Sequence, residues 1–462
     1  MSISAEIVNG DAVLTGITQD SRDVQPGDVY CCIRGEHFDG HEYINQAVAS
    51  GAVAVIVDKD IAAMPANVAV VRVSHVRQFV GPFASSLFGH PSRQMTMAGI
   101  TGTNGKTSTT AMLAAIFSEA GKNVRQIGTL TGARTTPEAI DLQAQLHEWA
   151  NTGVDCVVME VSSHALVQHR VGGITFDVSV FTNIGRDHLD FHGTEEAYFS
   201  AKAMLFTEEL SRSGVVNIDD PKGMLLRDAM AIPMLGFSGS DALNVELRVD
   251  QVAYTWNGVT INVPMGGSFT LMNSLAAATA AKSLGVEPNV IARGLAKIPH
   301  VPGRFESVPN RAGIGVIVDY AHTPESLESL LGSVREICDG RIIVVFGCGG
   351  NRDQGKRPMM GAIAESFADL VFVTSDNPRN EDADAIIDDI FAGFTTSQTD
   401  VRRIPDRTNA IESAIFEARR DDIVVIAGKG HETTQEVSGT LHPFSDVDVA
   451  KKALHRREET TE

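Results

Sequence analysis

Cysteine is scarce in this 462-residue chain: five residues, at 31, 32, 156, 338 and 348, an odd set with no C-x-x-C pair. That argues against a disulfide framework and fits a reducing cytosol. Cys156 and Cys348 lie in or beside apolar runs and read as small core or loop residues. Basic charge is also short. Lys and Arg number 38 against 58 Asp and Glu, a formal net charge of −20. A broad nucleic-acid surface or an acidic-membrane surface is therefore not expected. No apolar run has the length of a membrane span, so no membrane insertion is expected. Met1 to Asn9 lacks a basic region followed by an apolar core, so no signal peptide is read there.

What remains is an ordinary globular composition, 43% hydrophobic and 21% charged. The length suggests about three domains, each able to bury its own core. Anionic ligands in so acidic a chain must be met locally, by single lysines, arginines and helix N-termini.

One stretch answers that requirement. Gly102-Thr103-Asn104-Gly105-Lys106-Thr107-Ser108 follows a short apolar run, Met97 to Ile100. It precedes Thr109 to Ala120, where Met112, Leu113, Ile116 and Phe117 recur at helical spacing. A strand, a Gly-rich turn and a helix N-terminus form a cradle for nucleotide phosphates. Lys106 reaches the terminal phosphates and the Thr107 hydroxyl suits magnesium. Ile100 stands where the usual pattern has its first Gly.

Residues 1–89 read as a small α/β unit, with strands at Val29–Ile33 and Ala52–Val57 and a helix near His41–Ser50. Asp20-Ser21-Arg22 and Gly35 to Gly40 punctuate it as turns. Residues 90–303 read as a nucleotide domain. Its apolar run Val154–Val161 delivers Glu160 at a strand end, where an acid can hold magnesium. Asp187, His188, Asp190 and His192 fall within six residues and are a candidate metal-ligand set. Lys202 lies on a helix and Asn273 reads as a capping residue of another; neither carries chemistry on local grounds. Residues 304–462 alternate apolar strands (Val316–Val318, Ile342–Phe346, Leu370–Val373, Ile423–Ile426) with helices, as in a doubly wound parallel sheet. Polar segments follow those strands, where such folds place ligands. The tail after Lys452 reads as a frayed helix end. Gly347 to Asp353 lacks G-x-G-x-x-G spacing, which argues against nicotinamide binding.

The ordered set Asp20-Ser21-Arg22, Gly102–Thr107, Glu160–Arg170, Asn183–His192, Tyr198–Lys202, Pro302–Glu306, Asp319–Pro324, Gly347–Pro358, Asp376–Arg379 and Gly428–Glu432 resembles the Mur ligases of peptidoglycan synthesis. It most closely resembles their UDP-N-acetylmuramoyl-tripeptide synthetase branch. The resemblance covers nearly the whole chain.

It implies an α/β protein of three domains: a small N-terminal UDP-binding domain (1–89), a central P-loop ATPase-type parallel sheet (90–303), and a C-terminal Rossmann-like sheet for the incoming amino acid (304–462). It implies ATP as co-substrate, bound by Gly102 to Ser108 with Asn273, Arg304 and Asp319. Two magnesium ions would be held by Thr107, Glu160, His188 and Lys202, the last as a carbamate (N6-carboxylysine). Lys106, Lys202 and His188 would be catalytic. Ser21, His37, Phe38, Thr135, Thr136, Ser162, Gln168 and Arg170 would bind UDP-N-acetylmuramoyl-L-alanyl-D-glutamate. Arg352, Asp376, Asn377, Arg379, Gly428 and Glu432 would bind meso-diaminopimelate. A cytosolic monomer is expected. Thr270 stands where the family often has an Asn, and Phe444 to Asp448 matches an acidic stretch only loosely, so neither is given a role.

Physical chemistry favours diaminopimelate over L-lysine. Its second carboxylate suits the planar, two-pronged donor of Arg379. Lysine would leave that donor unpaired, at a large cost in selectivity. Two other readings are a folylpolyglutamate- or cyanophycin-type ligase and a non-enzymatic nucleotide switch. Asp20-Ser21-Arg22 and Arg379 argue against the first; Lys106, Glu160, His188 and Lys202 argue against the second.

Overall fold

The computed structural model describes residues 5–35, 38–61, 67–395 and 399–461. The chain forms three sheet-and-helix units in succession. The first contains β1 (Ala5–Asn9), β2 (Gly16–Thr18), β3 (Asp28–Cys31), α1 (Ile44–Ala49), β4 (Ala54–Val57), β5 (Ala69–Val73) and α2 (Val76–Leu87). Its sheet order is β1-β5-β4-β3-β2, with β1 antiparallel to β5 and the other pairs parallel. β3 and β4 are buried on both faces, as apolar parallel strands must be. The helix expected from His41 begins instead as a 3₁₀ turn, Gly40–Tyr43. The Asp39 side chain caps it by accepting from His41 N, and α-geometry starts only at Ile44.

The second unit runs β6 (Thr96–Thr101), α3 (Lys106–Glu119), β7 (Val124–Ile127), α4 (Ala139–Asn151), β8 (Cys156–Glu160), α5 (Ser163–Val167), β9 (Val178–Phe181), α6 (Leu189–His192), α7 (Glu195–Ala203), β10 (Gly214–Asn217), α8 (Pro221–Ala229) and β11 (Met234–Phe237). The sheet is wholly parallel, in the order β11-β10-β9-β6-β8-β7. β6 thus lies between β8 and β9, and the ends of all three open on one edge. An antiparallel sheet of β12 (Leu243–Leu247), β13 (Val252–Trp256) and β14 (Val259–Val263) follows, then α9 (Ser268–Ser283) and α10 (Pro288–Ala296). Met112, Leu113, Ile116 and Phe117 are buried as their spacing implies, in a core shared with α9 and α10.

The third unit holds β15 (Glu306–Ser307), β16 (Gly315–Asp319), α11 (Pro324–Arg335), β17 (Ile342–Phe346), α12 (Lys356–Phe367), β18 (Leu370–Val373), α13 (Ala383–Phe391), β19 (Asp400–Arg403), α14 (Arg407–Glu417), β20 (Ile423–Ala427), the hairpin β21 (Thr434–Val437) and β22 (Thr440–Pro443), and α15 (Asp446–Thr461). Its sheet, β15-β16-β20-β17-β18-β19, is parallel except for β15. Apolar side chains cover both faces.

The C-terminal tail does not fray. α15 continues to Thr461 because Ala450, Ala453 and Leu454 pack against α14. The unassigned acidic stretch has a structural role. Asp446 accepts from Arg407 Nε at 2.7 Å and Nη2 at 2.8 Å, with both side chains fully buried. Arg407 Nη2 also donates to Ala427 O, which ties α14, α15 and the end of β20 together.

Candidate active site

After β6 the chain turns through Gly102 (φ +152°) and Gly105 (φ +83°) into α3. A Cβ on Gly105 would come within 2.3 Å of Asn273 Oδ1, so only glycine fits. Asn273 is therefore not a helix cap. It is buried inside α9 and presses on the loop. The end of β9 braces the other side: Thr182 Oγ1 donates to Asn104 O at 2.7 Å and Asn104 N to Asn183 Oδ1 at 3.0 Å. Lys106 Nζ donates to the carbonyls of Gly102 and Thr103, each at 2.8 Å. The loop curls around its own lysine at the α3 N-terminus, the geometry of a phosphate cradle. Burial lowers the Lys106 pKa, and the Glu160 and Asp187 carboxylates oppose that.

Glu160, the last residue of β8, is buried beside this loop. Thr107 Oγ1 donates to Glu160 Oε2 at 3.1 Å, and Thr129 N donates to Oε1 at 3.0 Å. A Cβ on Gly128 would lie 2.2 Å from Oε1, so that glycine preserves the space. A hydroxyl and a carboxylate at the loop are hard oxygen donors of the kind magnesium takes. Among the described residues, no three His, Cys, Asp or Glu side chains gather as a metal cage. The protein side of a metal shell here is sparse.

Lys202, to which local reading gives no chemistry, is buried. Its Nζ donates to Gly102 O at 2.8 Å and lies 4.3 Å from the centre of the Tyr198 ring. Burial, then the neighbouring Lys106 charge, pushes its pKa well below the usual lysine value. Asp187, His188, Asp190 and His192 do not converge as a metal set among the described residues. His188 adopts a left-handed backbone (φ +53°) before the four-residue α6, and the His188 and His192 rings both pack against His164 and Tyr198. His188 Nε2 stays 3.4 Å from Asp187, whereas His192 Nε2 meets Ser163 Oγ at 2.9 Å. His164 packs edge-on to His188, and burial lowers the pKa of each.

A second group lines the approach from the N-terminal unit. Thr136 Oγ1 donates to Glu160 O and accepts from Ser162 N. Thr135 Oγ1 meets Thr129 Oγ1 at 3.1 Å. Ser162 caps α5. Arg170 donates to Thr136 O at 3.0 Å and Gln168 Oε1 at 2.7 Å, and pairs with Glu138. A cavity of about 330 Å³ opens between Gln19, two residues from Ser21, and Arg134, Glu138 and Asp141. Ser21 is buried, Phe38 is exposed and His37 lies outside the described residues. A cavity of about 470 Å³ beside Trp256, Asn257 and Lys282 contains none of the expected site residues.

At the end of β16, Asp319 accepts from Phe305 N at 2.7 Å and Ala321 N at 2.8 Å. Burial raises its pKa against the pull of Arg304, whose guanidinium lies over the Tyr320 ring. Past β18 and β20, Asp376, Asn377, Gly428 and Glu432 come together. Asn377 Nδ2 donates to Glu432 Oε2 at 2.8 Å, and a Cβ on Gly428 would meet Asp376 Oδ2 at 2.7 Å. Arg379 (φ +54°) donates to Gly350 O at 2.6 Å and holds Glu436 at 3.3 Å, so its guanidinium is partly engaged by the loop after β17 and by β21. Arg352 is exposed, with its stem beside Gly349. The sequence reading missed Lys429. It is fully buried and donates to both Asn377 and Glu432. Only its place between Gly428 and Gly430, three residues before Glu432, hinted at it.

A phosphate loop at a helix N-terminus, backed by a buried carboxylate, defines a nucleotide-binding α/β protein. Three family models match in order: "Mur ligase family, catalytic domain" over residues 13–87, "Mur ligase middle domain" over 100–281, and "Mur ligase, glutamate ligase domain" over 303–430. The chain belongs to the Mur ligase family. It is 41% identical to a UDP-N-acetylmuramoyl-L-alanyl-D-glutamate–2,6-diaminopimelate ligase of Geobacter metallireducens, covering 96% of this chain and 94% of the relative. It is 42% identical to a ligase of the same name from Gloeobacter violaceus, covering 97% and 95%. A solved structure with that ligase name superposes with a TM-score of 0.70 at 31% identity, covering 96% of this chain and 95% of the other.

Proposed function

We infer that this chain is an ATP-dependent ligase that adds meso-2,6-diaminopimelate to the D-glutamate side-chain carboxylate of UDP-N-acetylmuramoyl-L-alanyl-D-glutamate. The observation that carries this is the near-full-length likeness, at about two residues in five, to ligases bearing that name. In this reading residues 1–89 take the UDP end, 90–303 bind ATP and 304–462 bind the amino acid, with the chain acting as a cytosolic monomer. Among the described residues, no helix is long and apolar enough to cross a membrane.

A carboxylate resists amine attack because oxide would have to leave. Transfer of the γ-phosphoryl group from ATP to that carboxylate gives ADP and an acyl phosphate. The free amine of the amino acid attacks the acyl carbon, the C–O bond to phosphate breaks, and the amine loses its proton as the amide forms. The protein's part is positioning and charge neutralisation. The α3 N-terminus and Gly102 to Ser108 hold the phosphates. Lys106 releases its two loop carbonyls to neutralise the γ-phosphoryl group. Asn273, Arg304 and Asp319 hold the rest of the nucleotide. Thr135, Thr136, Ser162, Gln168 and Arg170, with Ser21, His37 and Phe38 at the far end, orient the muramoyl dipeptide. Thr107, Glu160, His188 and Lys202 would hold magnesium, taken as two ions, which screens repulsion between carboxylate and phosphates. An amine whose pKa is lowered by burial is available to add carbon dioxide, forming a C–N bond and releasing one proton; this supports Lys202 as a carbamate.

Incubation with ATP, magnesium, the nucleotide dipeptide and meso-diaminopimelate, followed by mass spectrometry, tests the reading. The expected product carries one added diaminopimelate residue. Recovery of unchanged nucleotide dipeptide would refute it.

A further inference from the structure

Three of the four hydrogen-bonding positions of the Asn377 side-chain amide are used within the protein. Its Oδ1 accepts from Lys429 Nζ at 2.9 Å and from Glu436 N at 2.9 Å; its Nδ2 donates to Glu432 Oε2 at 2.8 Å. An amide oxygen has two lone pairs, so Oδ1 is saturated. Glu432 Oε2 takes a second donor, Lys429 Nζ, at 2.8 Å. Among the described residues, Glu432 Oε1 has no hydrogen-bond partner, so within the Lys429–Asn377–Glu432 trio it is an oxygen with capacity left. The Glu432 side chain is 31% exposed and that of Lys429 0%, so the carboxylate faces the open site and the ammonium backs it.

An ammonium sealed from water is costly unless paired. The hydrogen-bond partners of Lys429 lie on the two loops that end β18 and β20. The hairpin fixes one of those loops from behind. Arg379 N donates to Glu436 O, Ser438 N to Arg379 O, and Gln435 Nε2 to Asp376 O. Burial alone would raise the Glu432 pKa; Lys429 and Asn377 outweigh it, and the carboxyl stays below its usual range.

We propose that Lys429 is a positioning residue for the incoming amino acid. Its buried ammonium locks Asn377 and Glu432 so that Glu432 Oε1 meets the non-reacting ammonium group of a diamino acid. Asn377 then acts through Glu432 and is not itself an Oδ1 ligand of the substrate. This rests on the amino-acid site proposed above.

The test is steady-state phosphate release by the full chain, with each of the three substrates varied in turn. Lys429→Met is expected to raise the KM for meso-diaminopimelate by about 10-fold or more, the scale of a lost charge-assisted hydrogen bond. The KM values for ATP and the nucleotide dipeptide are expected to stay within about 2-fold. In a Glu432→Gln background the same change should add no more than about 2-fold, because coupled partners are not additive. If Lys429→Met does not fold, Lys429→Gln gives the same readout with a shorter neutral side chain. An unmoved amino-acid KM, an equal rise in all three KM values, or additive effects with Glu432→Gln would overturn the proposal. A wild-type chain that turns over no amino acid would instead overturn the functional reading, and the proposal with it.

Discussion

Lys106 and Lys202, 96 positions apart, donate to the same acceptor: each Nζ lies 2.8 Å from the carbonyl oxygen of Gly102. Two cationic side chains on one carbonyl are tolerable only if one gives up its proton or its charge finds an anion. The deeper one, Lys202, is the one whose pKa is pushed down furthest. The loop is thus arranged around a charge problem that phosphates and a carbamate would solve.

Lys106→Ala should keep the fold, since among the described residues the side chain bonds only its own loop and is half-buried. Phosphate release should fall by about 10²- to 10³-fold, the range for loss of one transition-state donor. Turnover near wild type, with an unchanged melting curve, would contradict the assignment.

Lys202→Ala should also lose activity, by about 10²-fold or more. If Lys202 acts as a carbamate, millimolar formate or acetate should restore part of the rate, because a short carboxylate can occupy the vacated space. Neutral formamide should not. Equal rescue by both additives would point to simple cavity filling.

The site and the scaffold were not equally legible in the sequence. The phosphate loop and its helix were readable because their chemistry is local, and Ile342–Phe346 and Leu370–Val373 form strands at the expected residues. Lys202 and Lys429 were not readable by local rules, because burial of a lysine depends on what the fold lays over it. Asp187, His188, Asp190 and His192 do not gather as a metal set among the described residues, because nearness in sequence does not by itself make side chains converge: His192 is held by Ser163, and the His188 and His192 rings pack on His164. The 3₁₀ start at Gly40 and the full length of α15 depend on a cap and on small buried alanines, which leave little periodic signal.

The Arg407–Asp446 pair gives a stability prediction. Removing one partner leaves the other charge buried and uncompensated, so Asp446→Ala should cost about 3–5 kcal/mol, read as a lower denaturant midpoint. Replacing both residues by apolar ones of similar size should recover much of that. An unchanged midpoint for Asp446→Ala would show that the pair contributes little.

Arg379→Ala should discriminate between amino acids. Loss of a two-pronged carboxylate donor should reduce kcat/KM for meso-diaminopimelate by about 10²-fold while leaving any trace activity with L-lysine nearly unchanged. A similar loss for both would make Arg379 a brace for Gly350 and Glu436 only.

The most direct measurement is phosphate release from ATP with magnesium and UDP-N-acetylmuramoyl-L-alanyl-D-glutamate, comparing meso-diaminopimelate with L-lysine. The account predicts rapid release with diaminopimelate and little with lysine. Release with lysine alone, or with neither, would contradict it.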